Sequence, residues 1–127
     1  MSHDARLIAL NITLPDAPAP AANYVPYVRS GNLLYVSGQI SAGPDGLIKG
    51  RLGDDLAVAA GAAAARRCGL ALLAQASAAL GSLDQIVRVV KLGGFVCSTN
   101  DFTDQPEVVN GCSDLMVEVF GDAGRHA

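Results

Sequence analysis

An α+β sandwich, a mixed β-sheet with two helices packed on one face, is the fold class this sequence predicts. Three observations predict it. Residues 24–51 are rich in β-branched and aromatic side chains interrupted by glycine turns. Residues 55–80 are alanine-rich and free of proline, and a further apolar run at 85–97 leads into a second helix with its own start signals. The element order is βββ-α-β-α, and a strand is expected to follow.

Residues 4–10 predict a short first helix. "LPDAPAPAAN" then carries Pro15, Pro18 and Pro20, which lack backbone donors and favour extended chain. Residues 1–22 are therefore a helix and a Pro/Ala-rich lead-in to a single domain spanning 1–127. In "YVPYVRSGNLLYVSGQI", residues 24–29 and 33–40 flank Ser30-Gly31-Asn32, a hairpin signal. Pro26 cannot donate to a ladder, so pairing of the first strand begins after it. A second turn at Pro44-Asp45-Gly46 precedes a short strand around 47–51.

The helix over 55–80 should be capped at Asp54 or Asp55 and end at Gly81, about 40 Å at ~1.5 Å per residue. At ~100° per residue its apolar side carries Val58, Ala62, Ala65, Leu72, Leu73, Ala76, Ala79 and Leu80. Small residues there allow close approach to a sheet. Gly93-Gly94 inside the 85–97 strand marks a bulge or the close approach of another backbone or a ligand. Asp104, Pro106 and Glu107 read as cap, first-turn proline and capping-box acid of a helix reaching Phe120 and stopping at Gly121.

Composition narrows function. Half the residues are hydrophobic, only 17% are charged and only 5% are aromatic, so much of the apolar content is alanine. Small side chains bury little area each, which favours completing burial at a subunit interface. With net charge −3 and scattered charges, no basic stripe for nucleic acid or anionic lipid is present. Neither a signal peptide nor a membrane-spanning run is evident, and a cytoplasmic location is expected. Cys68, Cys97 and Cys112 lack CxxC spacing, and His3 and His126 lie near the termini. That is poor material for a disulfide framework, a zinc site or a histidine triad.

The glycines from Gly38 to Gly53 lack phosphate-loop spacing, with Lys49 preceding Gly50, and read as turns. Cys97 and Cys112 could each be a nucleophile, but no histidine is placed beside them, and buried cysteine usually behaves as a small hydrophobe. Asn110-Gly111 is a poor pair inside a helix, which makes Asn110 either a solvent-facing residue, a kink or a ligand contact. Tyr24 and Tyr27 around Pro26 suit packing with the hydroxyl at the rim, and Ser37-Gly38 suits a strand-end turn.

The runs "ANYVPYVRSGNLLYVSGQIS" and "LDQIVRVVKLGGFVCSTNDFTDQPEVVNGCSDLMVEVFGD", with the closing "GRHA", resemble the RidA (YjgF) family from Asn23 onward. The resemblance implies a chorismate-mutase-like fold and a homotrimer with clefts between subunits. It also implies an enamine/imine deaminase that hydrolyses 2-aminoacrylate-type intermediates to 2-keto acids and ammonia without metal or cofactor. The alternative it implies is a non-catalytic trimer of the same family, regulatory or binding small carboxylates, of the endoribonuclease L-PSP/translation-inhibitor type. Chorismate mutase itself would rest on shape alone.

Residue by residue, the family's cleft tyrosine falls on Tyr24, its strand-end Ser-Gly on Ser37 and Gly38, its helix asparagine on Asn110, and an apolar wall on Phe95. Tyr24 and Asn110 would then hold substrate or attacking water, and backbone around Gly38 would polarise the imine. The family's carboxylate-clamping arginine falls just past Ala127, so the final strand and that arginine are expected beyond the last residue. Arg125 is the candidate substitute, although two positions along a strand move a side chain by ~6–7 Å. Residues 103–107 form an insertion relative to the shorter deaminases and would reshape the cleft rim.

Overall fold

The computed structural model describes residues 1–127 and has a helical layer beside a thin strand layer. Its elements are α1 (His3–Ala9), the hairpin β1 (Tyr27–Ser30) and β2 (Leu33–Val36), the hairpin β3 (Ala42–Gly43) and β4 (Gly46–Leu47), α2 (Val58–Leu80) and α3 (Gln105–Phe120). Short 3-10 turns occupy Leu83–Gln85 and Gly121–Gly124. No helix is long and apolar enough to cross a membrane.

The helices start and stop for local reasons. Ser2 caps α1 by accepting the Ala5 N–H at 3.1 Å. Gly81 ends α2 in the left-handed conformation with φ +82°, as the sequence predicts. The predicted start of α2 moves: its N-cap is Ala57, without a side-chain bond, because Asp55 instead accepts the Arg51 N–H at 2.6 Å. Asp104 does stand at the N-cap of α3 with proline in its first turn, but its carboxylate caps nothing.

The core lies where α2 and α3 cross. Leu70, Leu73, Ala76, Cys112, Leu115, Met116, Val119 and Phe120 form it with Leu7 and Leu83. Glycines set the spacing. A Cβ on Gly111 would collide with the Ala62 carbonyl oxygen, and one on Gly69 would sit 2.9 Å from both the Cys112 Sγ and a Leu115 methyl. The local oddity of Asn110-Gly111 thus has a packing cause. The buried side of α2 also differs from the predicted one. Gly61, Gly69, Leu70, Ala71, Ala74 and Gln75 are buried, because α2 is covered by α3 and by the lead-in as well as by the strand layer.

The first hairpin pairs antiparallel, Tyr27 with Val36 through Ser30 with Leu33, around Gly31 at φ +58°. Ladder contact begins after Pro26, whose carbonyl accepts the Ser37 N–H at 2.9 Å. The third strand shrinks from the predicted 47–51 to Gly46–Leu47, paired only with Ala42–Gly43.

The long strand predicted over 85–97 forms no ladder. Its backbone ties are a few isolated bonds: Val89 N–H to the Ala123 carbonyl (2.8 Å), Ala127 N–H to the Val90 carbonyl (2.9 Å) and Leu52 N–H to the Cys97 carbonyl (2.9 Å). An open groove of about 1770 Å³ lies between these residues and β2, floored by α2 and α3. Apolar alternation reports a tendency to extend, whereas pairing requires a neighbour within ~5 Å, and none lies along residues 91–96. Gly94 meets a side chain rather than another backbone, its Cβ position lying 2.9 Å from a Val109 methyl on α3.

Candidate functional site

Tyr24 and Gly38 meet at a second, smaller cavity of about 150 Å³, under the lead-in and beside the end of β2. Ser37 makes this possible. Its hydroxyl donates to the Val25 carbonyl at 2.7 Å and its N–H donates to the Pro26 carbonyl, so the strand end is stitched to the segment that carries Tyr24. The Tyr24 hydroxyl oxygen accepts the Ala21 N–H at 3.2 Å, leaving its own proton free to donate. Gly38 has open space around it, since an added Cβ would meet nothing within 4 Å. A small ligand can therefore lie against the backbone there.

Other lining residues come from outside the predicted set. Gln75 of α2 is 2% exposed and reaches the same cavity. Its Nε2 donates to the Pro18 carbonyl at 2.6 Å, which ties the lead-in to the helix. Gln39 lines it too, with its amide donating to the Ser37 carbonyl at 2.9 Å. A glutamine in the middle of an alanine-rich apolar run was the available signal for Gln75. Its burial depends on the lead-in folding back, which periodicity does not report.

The remaining predicted residues lie elsewhere on the chain. Ser37, Gly38 and Phe95 all line the large groove, with Phe95 fully exposed on the far rim. Asn110 sits exposed on α3, and Arg125 lies beyond the C-terminal 3-10 turn; neither lines the cavity or the groove. The Arg125 guanidinium pairs with Asp122 at 3.3 Å, largely in solvent. Within one chain the structure brings together Tyr24, Ser37 and Gly38, and leaves Asn110, Phe95 and Arg125 apart from Tyr24.

Two arrangements that resemble nucleophile chemistry do not supply it. Burial pushes the Cys112 thiol up to about 11, with Cys68 nearby adding to the rise, and burial also raises Cys68. Both are thiols at neutral pH. The Ser113 hydroxyl lies 2.7 Å from His126 Nε2, while His126 Nδ1 lies 2.8 Å from the Ala127 carbonyl. The Ala127 oxygen can only accept, so Nδ1 donates to it. Neither residue lines the cavity or the groove, so this pair fastens residues 125–127 to α3 without facing a substrate.

The family model described as "YjgF/chorismate mutase-like, putative endoribonuclease" matches residues 4–127. Protein TCP17 of Trypanosoma cruzi is 53% identical over 125 residues, which are 97% of this chain and 78% of that protein. A crystal structure of a "putative endoribonuclease" from Shewanella oneidensis MR-1 superposes with a TM-score of 0.95 at 36% identity, covering 100% of this chain and 85% of the other. Atu1372 of Agrobacterium tumefaciens, of unknown function, does so at 0.87 with 47% identity over 98% of this chain and 78% of its own. The matched span includes every residue that lines the Tyr24 cavity.

Proposed function

The chain belongs to the YjgF/chorismate mutase-like family and has its fold, and from that premise we propose that it is an enamine/imine deaminase hydrolysing small 2-imino acids to 2-keto acids and ammonia. The observation that carries the proposal is one cavity lined both by Tyr24, whose phenolic proton is free to donate, and by exposed backbone at Gly38. Hydrolysis begins when water oxygen bonds to the imine carbon and the C=N pair moves to nitrogen, which takes up one of the water's protons. The resulting carbinolamine expels ammonia: the hydroxyl proton passes to nitrogen, the C–N pair leaves with it as NH3, and an oxygen lone pair closes the carbonyl. A hydrogen-bond donor beside the imine stabilises charge as it builds, and such positioning needs no covalent intermediate.

Tyr24 is the donor in this reading, and Ser37 holds the segment that aims it. Asn110, Phe95 and Arg125 would complete the site only across an interface between copies, which is why the proposal includes a homotrimer. The exposed apolar residues Val28, Leu33, Tyr35 and Phe95 support such covering. Net charge −3 with no basic stripe gives little support to RNA cleavage as the activity.

A second reading, a binding protein without catalysis, gains from one observation. No histidine, carboxylate, amine or thiol lines the cavity, so one chain places none of the usual proton-transferring groups there besides the Tyr24 phenol. Generating 2-aminoacrylate in situ with a pyridoxal-phosphate lyase and following keto-acid formation separates the two. The deaminase reading expects acceleration by the assembled protein and a loss of about tenfold or more in Tyr24→Phe. No acceleration by the assembled protein selects the binding reading.

A further inference from the structure

Gln75 is the one polar residue among those the fold buries. An apolar residue would fill the same place on α2 without the cost of desolvating an amide. Part of that cost is met, since Nε2 donates to the Pro18 carbonyl at 2.6 Å. The bond also orients the side chain: because the nitrogen faces a carbonyl, Oε1 must face the other way. No donor of the chain reaches Oε1, yet no buried side-chain polar atom is sealed off without a partner. Oε1 is therefore an accessible, unused acceptor on a residue that lines the Tyr24 cavity.

The rest of the lining specifies what suits that acceptor. The cavity is walled by Pro18, Pro20, Pro26 and Ile40 among others, and no residue lining it carries a formal charge. A carboxylate or an ammonium would give up water there without gaining a counter-charge, a penalty on entry. A neutral N–H group has no such penalty. Tyr24 offers the complementary donor on the same cavity. One acceptor and one donor in an uncharged pocket match a small neutral group that bears both an N–H and a lone pair.

We propose that Gln75 is a specificity-determining residue whose Oε1 accepts the N–H of a neutral imine or enamine nitrogen, so that the cavity reads nitrogen and disfavours the keto product. The ligand's identity rests on the deaminase reading; the preference for a neutral N–H donor does not. After hydrolysis the N–H is gone, and the new carbonyl presents only lone pairs toward Oε1. Two acceptors then oppose each other, and the product is released. The charged carboxylate of a 2-imino acid would stay outside this uncharged cavity.

The test uses a neutral pair that differ at one atom, 2-pyrrolidinone, which has an N–H, and γ-butyrolactone, which does not. Each is titrated into the ¹⁵N-labelled full chain, following the Gln75 side-chain amide and the Tyr24 ring by NMR. The lactam is expected to shift both and to bind roughly tenfold more tightly than the lactone, about the effect of one hydrogen bond that the other probe leaves unmade. Equal binding of the two probes, or lactam shifts that bypass Gln75 and Tyr24, would overturn the proposal. In Gln75→Met the preference should vanish while the circular dichroism of the helices is kept. If that variant fails to fold, the comparison of probes on the unaltered protein still decides. Lactam selectivity without turnover of 2-aminoacrylate would leave Gln75's role standing and remove the deaminase reading; turnover without selectivity would do the reverse.

Discussion

The helical layer and the strand layer both carry apolar side chains, yet only one of them buries them within a single chain. Every buried apolar residue except Leu7, Leu52 and Leu83 lies on α2 or α3. No residue of β1 to β4 is buried, while Val28, Leu33, Tyr35, Val87 and Phe95 stand in the open. The difference follows from where each element finds its hydrogen bonds. A helix satisfies its backbone internally, so two helices need only match surfaces. A strand satisfies its backbone through neighbours, and residues 91–96 have none beside them.

The contrast can be broken most severely at the helix crossing. Gly111→Ala drives a methyl into the Ala62 carbonyl, and the expected loss is roughly 3 kcal/mol or more by urea denaturation. Gly38→Ala, which adds the same methyl in open space at the end of β2, should cost less than about 0.5 kcal/mol. Similar costs at the two positions would mean that stability is shared between the layers.

Alkaline pH probes the same crossing more gently. The Cys112 thiol is raised to about 11 in the folded chain, above its ordinary 9.0, so folding favours the protonated form. That contribution is present below pH 9 and is lost as pH rises through 11, amounting to on the order of 2 kcal/mol. Denaturation midpoints measured across pH 8.5–11 should fall more steeply for the native chain than for Cys112→Ala. Parallel slopes would place Cys112 outside the tight part of the core.

The smallest effect is expected on the strand layer itself. Tyr35 is 60% exposed, and Tyr35→Ser should change the stability of dilute single chains by less than about 0.5 kcal/mol. A much larger loss that appears only as protein concentration rises would show a second copy covering that face. A loss of 2 kcal/mol at all concentrations would contradict the division between the layers.

What the sequence made legible follows the same division. Gly81, Pro106 and Gly121 punctuate helices through their own backbones, and the ends they predict are the ends observed. The first hairpin was legible too, because its turn residues are adjacent to the strands they join. Residues 85–97 carried a strand pattern without the partner that would make one. Tyr24, Ser37 and Gly38 stood out in the sequence only through the family resemblance, and they lie close together because a short stretch of chain carries them. Gln75 was not, because it enters the cavity only when Pro18, far away in sequence, folds over α2. Nothing in helical periodicity encodes that second covering.

The Gln75–Pro18 bond joins positions 57 apart along the chain, and this separation imposes an order on assembly. Closing so long a loop loses chain entropy that local helix formation does not, so α2 can exist before the lead-in is seated on it. The cavity, being roofed by the lead-in, comes into being only at that late step. A chain can thus hold its helices and still lack this cavity, so helical content alone does not report that the lead-in is seated.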